Sequence, residues 1–331
     1  MPPRLRPFLL LAAFALVPVA TRSPYVLHLM ILVLLWAAIG SGWNILAGYT
    51  GQVSFGAAAF FGVGAYASGL LALKLGVSPW WGLAVGPIAA VLLAFPFGAL
   101  SFPLRGAYFA LATLALGEIL RHVATIWESF TEGMVGILIL RSFVSETPYY
   151  YLALVLAAAS VGCVEWIVRS RLGYYLVSIR EDQDSAAAIG IPTTRYKMIA
   201  LSLHAFLTGM AGALYMCYMG YIDPKVAFSL HDVSIMAILV TIVGGVGRIY
   251  GPVLGAAVMV FLQEAFRTAG FGALEALNRA LGGKALVWAI PFVKQAHVLA
   301  FGILVVIVIL AMPNGLLGGW AKRKAGNYGH P

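Results

Sequence analysis

The chain has 331 residues, of which 62% are hydrophobic and only 10% charged. A soluble domain carries about 25% charged residues, so this composition excludes one and points to a polytopic membrane protein. The net charge of +9 is scattered between apolar runs and builds no basic face, which excludes nucleic acid as a partner.

A membrane-spanning helix needs about 20 apolar residues. Such segments are predicted at 7–22, 25–47, 53–73, 80–102, 106–127, 149–168, 195–220, 232–246, 250–268 and 295–312. The fold class expected is all-α: a polytopic transmembrane bundle of about 8–10 spans, one domain over residues 1–331. Arg4 and Arg6 ahead of Phe8–Val17 look like the start of a secretory signal. Pro18, however, stands where a small residue would precede a cut after Ala20, so an uncleaved first segment is expected.

Small residues recur every fourth position at Ser54, Ala58 and Gly62, at Gly64, Ser68 and Ala72, and at Ala205, Gly209 and Ala213. That spacing makes flat faces for close helix packing. Two polar stretches, Gly48–Gly56 and Gly244–Pro252, interrupt apolar runs in the two halves. Irregular backbone at membrane depth survives only when buried in protein or lining a wet cavity. Paired interruptions suggest an inverted repeat with broken helices and a pathway between its copies.

Three acids inside spans have basic partners at helical spacing: Glu118 with Arg121, Glu165 with Arg169, and Glu264 with Arg267. His28 and His204 stand alone on apolar segments and read as core histidines. Cys163 and Cys217 lie in apolar runs, with no disulfide or metal spacing. No G-x-x-x-x-G-K-[ST] stretch exists; "LGGKA" at 281–285 lacks the first glycine and the hydroxyl. No cofactor and no metal is expected on this chain.

One window is unlike the rest. Arg169, Arg171, Arg180, Glu181, Asp182, Asp184, Arg195 and Lys197 crowd between long apolar runs. Ser178 stands three residues before Glu181, the spacing of a capping box. Glu181, Asp182 and Asp184 suit the first turns of a helix. Gly190 and Pro192 signal its stop. The prediction is a helix of about 12 residues, about 18 Å long, within 178–191. It is too short to span a bilayer and too polar to lie in one. With a cytoplasmic N-terminus, ten crossings return the tail 320–331, with Lys322, Arg323 and Lys324, to the same side. The Lys and Arg excess then falls on the side of the charged window.

"DSAAAIG" (Asp184–Gly190) resembles the E-A-A-x-x-x-G signature of permease subunits in ATP-driven bacterial importers, with Asp184 for the acid, Ser185 and Ala186 for the alanines and Gly190 for the glycine. The longer "GYYLVSIREDQDSAAAIGI…RYK" is similar to the branched-chain amino acid (LIV-type) permeases. "GWNILAGYTGQVSFGAAAFFGVGAYASG", "LRGAYFALATLALGEILRHV", "TIVGGVGRIYGPVLGAAV" and "MPNGLLGG" fit the same family. Residues 270–294 fit it poorly.

The resemblance implies a permease subunit of an ABC importer in the bacterial inner membrane. Its expected partners are two ATP-binding cassette subunits that bind the ATP, a second homologous permease, and a periplasmic substrate-binding protein docking around 128–148 and 221–232. Arg180, Glu181, Asp182, Asp184, Ala186, Ala187 and Gly190 would form the ATPase-coupling surface. Residues near Asn44, Gln52, Ser54, Tyr108 and Thr113, with Glu118, would line a pathway for Leu, Ile or Val. A urea or short-amide permease is the alternative within the class. An ion-coupled secondary transporter, with Glu118 as its ion site, is the alternative outside it.

Overall fold

The computed structural model describes residues 14–21 and 23–280, together with 302, 306 and 315–317. The protein is an all-α polytopic bundle. Helix α1 (Pro24–Thr50) starts with proline in its first turn, where a missing N–H costs nothing, and stops at Gly51 in the left-handed region (φ 72°). Then follow α2 (Ala57–Leu75), α3 (Gly82–Ser101), α4 (Ala107–Ile126) and α5 (Thr147–Arg169). Two short helices, α6 (Arg171–Glu181) and α7 (Gln183–Ala188), precede α8 (Thr193–Met219). The chain continues through α9 (Pro224–Ala227), a π-helical turn at Leu230–Ile235, α10 (Met236–Gly244) and α11 (Gly251–Ala280).

Among the described residues, seven helical stretches are long and apolar enough to cross a membrane. They are Pro24–Thr50, Ala57–Leu75, Pro79–Ser101, Ala107–Ile126, Thr147–Arg169, Thr193–Met219 and Pro224–Gly244. Helix α11 covers the expected segment 250–268. Of 7–22, only residues 14–21 are described, and of 295–312 only 302 and 306. One boundary moves. The apolar stretch that covers the expected 232–246 extends back to Pro224, but a break at Phe228–Ser229 divides it, so it is not one helix. The proline starts a helical turn, Ser229 caps the next, and the π-turn carries the chain past His231 and Asp232.

Helices α2, α3 and α8 pack tightly. A Cβ on Gly64 would fall onto the Gly209 backbone, and one on Gly209 would meet Ala90 at 2.5 Å. Two of the three small-residue faces therefore act as helix-packing surfaces. In the third, Ser54 lies in a break rather than on a helix, while Gly62 gives room to Phe228. Helix α1 runs through the main apolar cluster, with α5, α8, α10 and α11 around it.

The two ends of the bundle differ. At one, Ile137–Leu138 (β1) pairs antiparallel with Tyr221–Ile222 (β2), tying the loop before α5 to the loop after α8. At the other lie α6 and α7. The intrahelical ion pairs form as the spacing predicts: Glu118 with Arg121 (2.7 Å), Glu165 with Arg169, and Glu264 with Arg267 (2.6 Å). His204 is fully buried, bonded to Thr208 (3.2 Å) and set edge-on to Phe60. His28 bonds Tyr218 (2.5 Å). Both cysteines are free; Cys217 is buried and Cys163 half-buried.

Candidate functional site

The helix expected within 178–191 is two helices meeting at Asp182. Helix α6 starts after Ser170 and runs through Ser178, whose hydroxyl donates back to the Tyr174 carbonyl (2.9 Å). Ser178 and Glu181 thus form no capping box. A serine already inside a helix has its preceding turn's carbonyl within reach and caps nothing. The cap is Asp182, extended at φ −157°, whose carboxylate accepts from the Ser185 N–H (2.6 Å). That bond holds the Asp182 carboxyl below the usual carboxylate range. Gly190 ends the turn at φ 88°, with Ile191 N–H returned to the Ala186 carbonyl (3.1 Å). Ala186 is buried, while Ala187, Ala188, Ile189 and Gly190 are exposed.

Three basic side chains fasten this element to the bundle. Arg105, in the loop between α3 and α4, makes a two-pronged bond to Asp184 (2.8 and 2.9 Å). Lys197, at the start of α8, is 1% exposed; its ammonium donates to Gln183 (3.1 Å) and sits 5.2 Å from the Phe102 ring centre. Arg180 donates to the Gly48 carbonyl (3.0 Å) at the end of α1 while holding Glu181 (2.6 Å). The Arg105–Asp184 pair is exposed and sets register more than stability. Sequence reasoning missed Arg105 and Lys197 as fasteners. Both lie in quoted motifs, but their partners come from other segments.

Arg180 reaches the place where the two chain breaks meet. Asn44, fully buried on α1, donates to the Arg248 carbonyl (3.0 Å) and accepts from the Gly247 N–H (2.8 Å). One amide therefore satisfies the backbone of the second break. Arg248 donates to the Leu317 carbonyl (3.1 Å), so this residue of "MPNGLLGG" also docks here. The first break is held likewise. Trp43 donates to the Ser54 carbonyl (2.8 Å), the Phe55 N–H to Thr113 (3.0 Å), and the Ser234 hydroxyl to the Phe55 carbonyl (2.6 Å).

Of the expected pathway residues, Asn44, Ser54 and Thr113 are buried, and all three bind break backbone or carry it. Gln52 is half-buried beside Gly51. Tyr108 is exposed at the start of α4, and Glu118 is paired with Arg121 further along it. Thr113 meets the first break at Phe55, next to Ser54, and Asn44 holds the second.

The segments that meet at this junction are those whose motifs looked familial. Residues 25–312 match the family of branched-chain amino acid transport system permease components. The chain belongs to this family.

Three of its relatives are close enough to align over long stretches. The high-affinity branched-chain amino acid permease LivM of Salmonella typhimurium is 25% identical over 288 residues, 76% of this chain and 67% of its own. LivM of Escherichia coli is 26% identical over 266 residues, 71% of this chain and 62% of its own. LivH of Salmonella typhimurium is 24% identical over 308 residues, 86% of this chain and 91% of its own. The chain thus spans about two thirds of the length of the LivM relatives it matches. No solved structure matches it. As a branched-chain-type ABC permease, the chain is a multi-pass transporter subunit.

Proposed function

We propose that this chain is the permease subunit of an ATP-driven importer that carries Leu, Ile or Val across the bacterial inner membrane. The observation that carries the reading is the fastening of α6–α7. A polar element outside the spans is bolted through Arg105, Lys197 and Arg180 to the α3–α4 loop, to α8 and to the end of α1, while Ala187–Gly190 face outward. A lever needs both a grip for its motor and rigid attachment to what it moves. Ala187 to Gly190 supply a low, apolar grip, and the three cations supply the attachment.

In this reading two ATP-binding cassette subunits hold the ATP, and this chain holds none. Their closure pushes α7. The push passes through Arg180 to the junction of the breaks, and through Lys197 and Arg105 to α8 and the α3–α4 loop. The α6–α7 end and both termini face the cytoplasm. A periplasmic binding protein docks on the strand end, where β1 and β2 join two loops into one surface. A second, related permease completes the membrane unit.

The test is reconstitution of the full complex in proteoliposomes. Ala187→Trp and Gly190→Trp should abolish ATP-driven leucine uptake while the subunit still inserts and assembles in the bilayer. Normal uptake in either variant refutes the docking role. The ion-coupled alternative rested on Glu118, whose carboxylate is taken by Arg121, and is not carried further.

A further inference from the structure

The candidate crossing Pro224–Gly244 carries His231 and Asp232 side by side, with Lys225 near its start. Asp232 follows the break at Phe228–Ser229 that separates α9 from the rest of this stretch. It lies on the π-helical turn, a widening often found at functional sites. Its side chain is 69% exposed and its neighbour His231's is 72% exposed. The carboxylate takes one bond on each oxygen, from the Ser229 hydroxyl (2.8 Å) and with His231 Nδ1 (3.0 Å). Among the described residues no lysine or arginine pairs with it. The acids within long apolar helices, Glu118, Glu165 and Glu264, each hold an arginine.

A carboxylate facing lipid tails is costly, so such a group faces protein or water. Asp232 is also part of a cavity wall. A cavity of about 80 Å³ lies between α1, α2, α8 and this crossing, and Asp232 is the one ionisable acid in its lining. The remaining wall includes Leu35, Trp36, Ile39, Phe61 and Val233, aliphatic and aromatic throughout. A small greasy pocket with a single fixed anion at its edge matches one class of ligand: a compact aliphatic group bearing a cationic head.

We propose that Asp232 receives the α-ammonium group of the transported amino acid, with the adjoining cavity taking its branched aliphatic side chain. Ser229 and His231 are positioning residues: their bonds hold the carboxylate open on the exposed side. The site also gives the π-turn a purpose, since the wider turn lets His231 and Asp232 project side by side just before the buried, apolar helix α10. The inference rests on the amino-acid import reading above.

The experiment uses the whole complex, with its ATPase, second permease and binding protein, in proteoliposomes. Asp232→Asn should cut leucine uptake about tenfold or more, the loss of one charge-assisted bond, while ATP hydrolysis stimulated by the loaded binding protein persists. Asp232→Glu should recover part of the uptake. A second readout works with Asp232 intact. In a chain with Cys163 and Cys217 replaced, Val226→Cys at the cavity wall should react with a thiol reagent, and leucine should protect it. The deaminated analogue 4-methylpentanoate should not protect. Uptake unchanged in Asp232→Asn, or equal protection by the analogue, overturns the site while leaving the importer reading intact. If the unmodified complex moves no branched-chain amino acid with ATP, it is the importer reading that fails.

Discussion

Arg180 and Gly48 are 132 residues apart in sequence, yet the guanidinium of one donates to the carbonyl of the other at 3.0 Å. The bond joins the short helices α6 and α7 to the end of α1, and through Asn44 to the second chain break. It makes one mechanical unit of three segments that have no local reason to meet.

Replacing Arg180 tests that unit. Lysine keeps the charge but cannot hold Glu181 and the Gly48 carbonyl together with one planar fork. Arg180→Lys should lower the number of leucine molecules imported per ATP, and Arg180→Ala should lower it further. Assembly and basal ATP hydrolysis should hold. Paired measurement of uptake and phosphate release reads the ratio directly.

Asn44→Leu removes the donor to Arg248 and the acceptor for Gly247 together. Each buried backbone group left without a partner costs about 1–3 kcal/mol. The variant should unfold at lower temperature in detergent. It should also expose the 244–251 amides to hydrogen exchange earlier than those of α2. Protection unchanged at 244–251 would mean that another group serves the break.

The cap on α7 has a defined pH response. The Ser185 N–H holds the Asp182 carboxyl below its ordinary value. A group lowered in the folded state contributes fully above its unfolded pKa, about 3.9, and loses that contribution as pH falls through the lowered value. The protection factor at the Ser185 amide should be flat from about pH 5 to 8 and drop under more acid conditions. Asp182→Asn should remove the drop and keep the helix, because asparagine caps about as well.

Glycine substitutions should split by contact. Gly209→Leu drives a side chain into Ala90 and the Gly86–Pro87 backbone, so folded protein should be lost. Gly162→Ala in α5 meets nothing within 4 Å. Relieved of glycine's entropy cost, it should stabilise by about 0.5–1 kcal/mol. Thermal melts of the purified subunit check both.

Much of this was legible in the chain by itself. Runs such as Pro24–Thr50 must leave water, and once in lipid their backbone can only close on itself as helix, so composition fixes an all-α bundle. Helical spacing likewise gives Glu118–Arg121, Glu165–Arg169 and Glu264–Arg267, because residues three or four apart share a face whatever surrounds them. The stop at Gly190 and the flat faces around Gly64 and Gly209 are local in the same sense. Tertiary structure alone decided the rest. Whether Ser178 or Asp182 caps a helix depends on where the previous helix ends. Which backbone group Ser234 bonds, here the Phe55 carbonyl, is set by the fold. That Arg105, Lys197 and Arg180 converge on one element, and that Asn44 on α1 holds the second break, follows from packing between distant segments. A side chain's type is written in the sequence; its partner, when more than a helical turn away, is set only by the fold that brings the two within hydrogen-bonding distance.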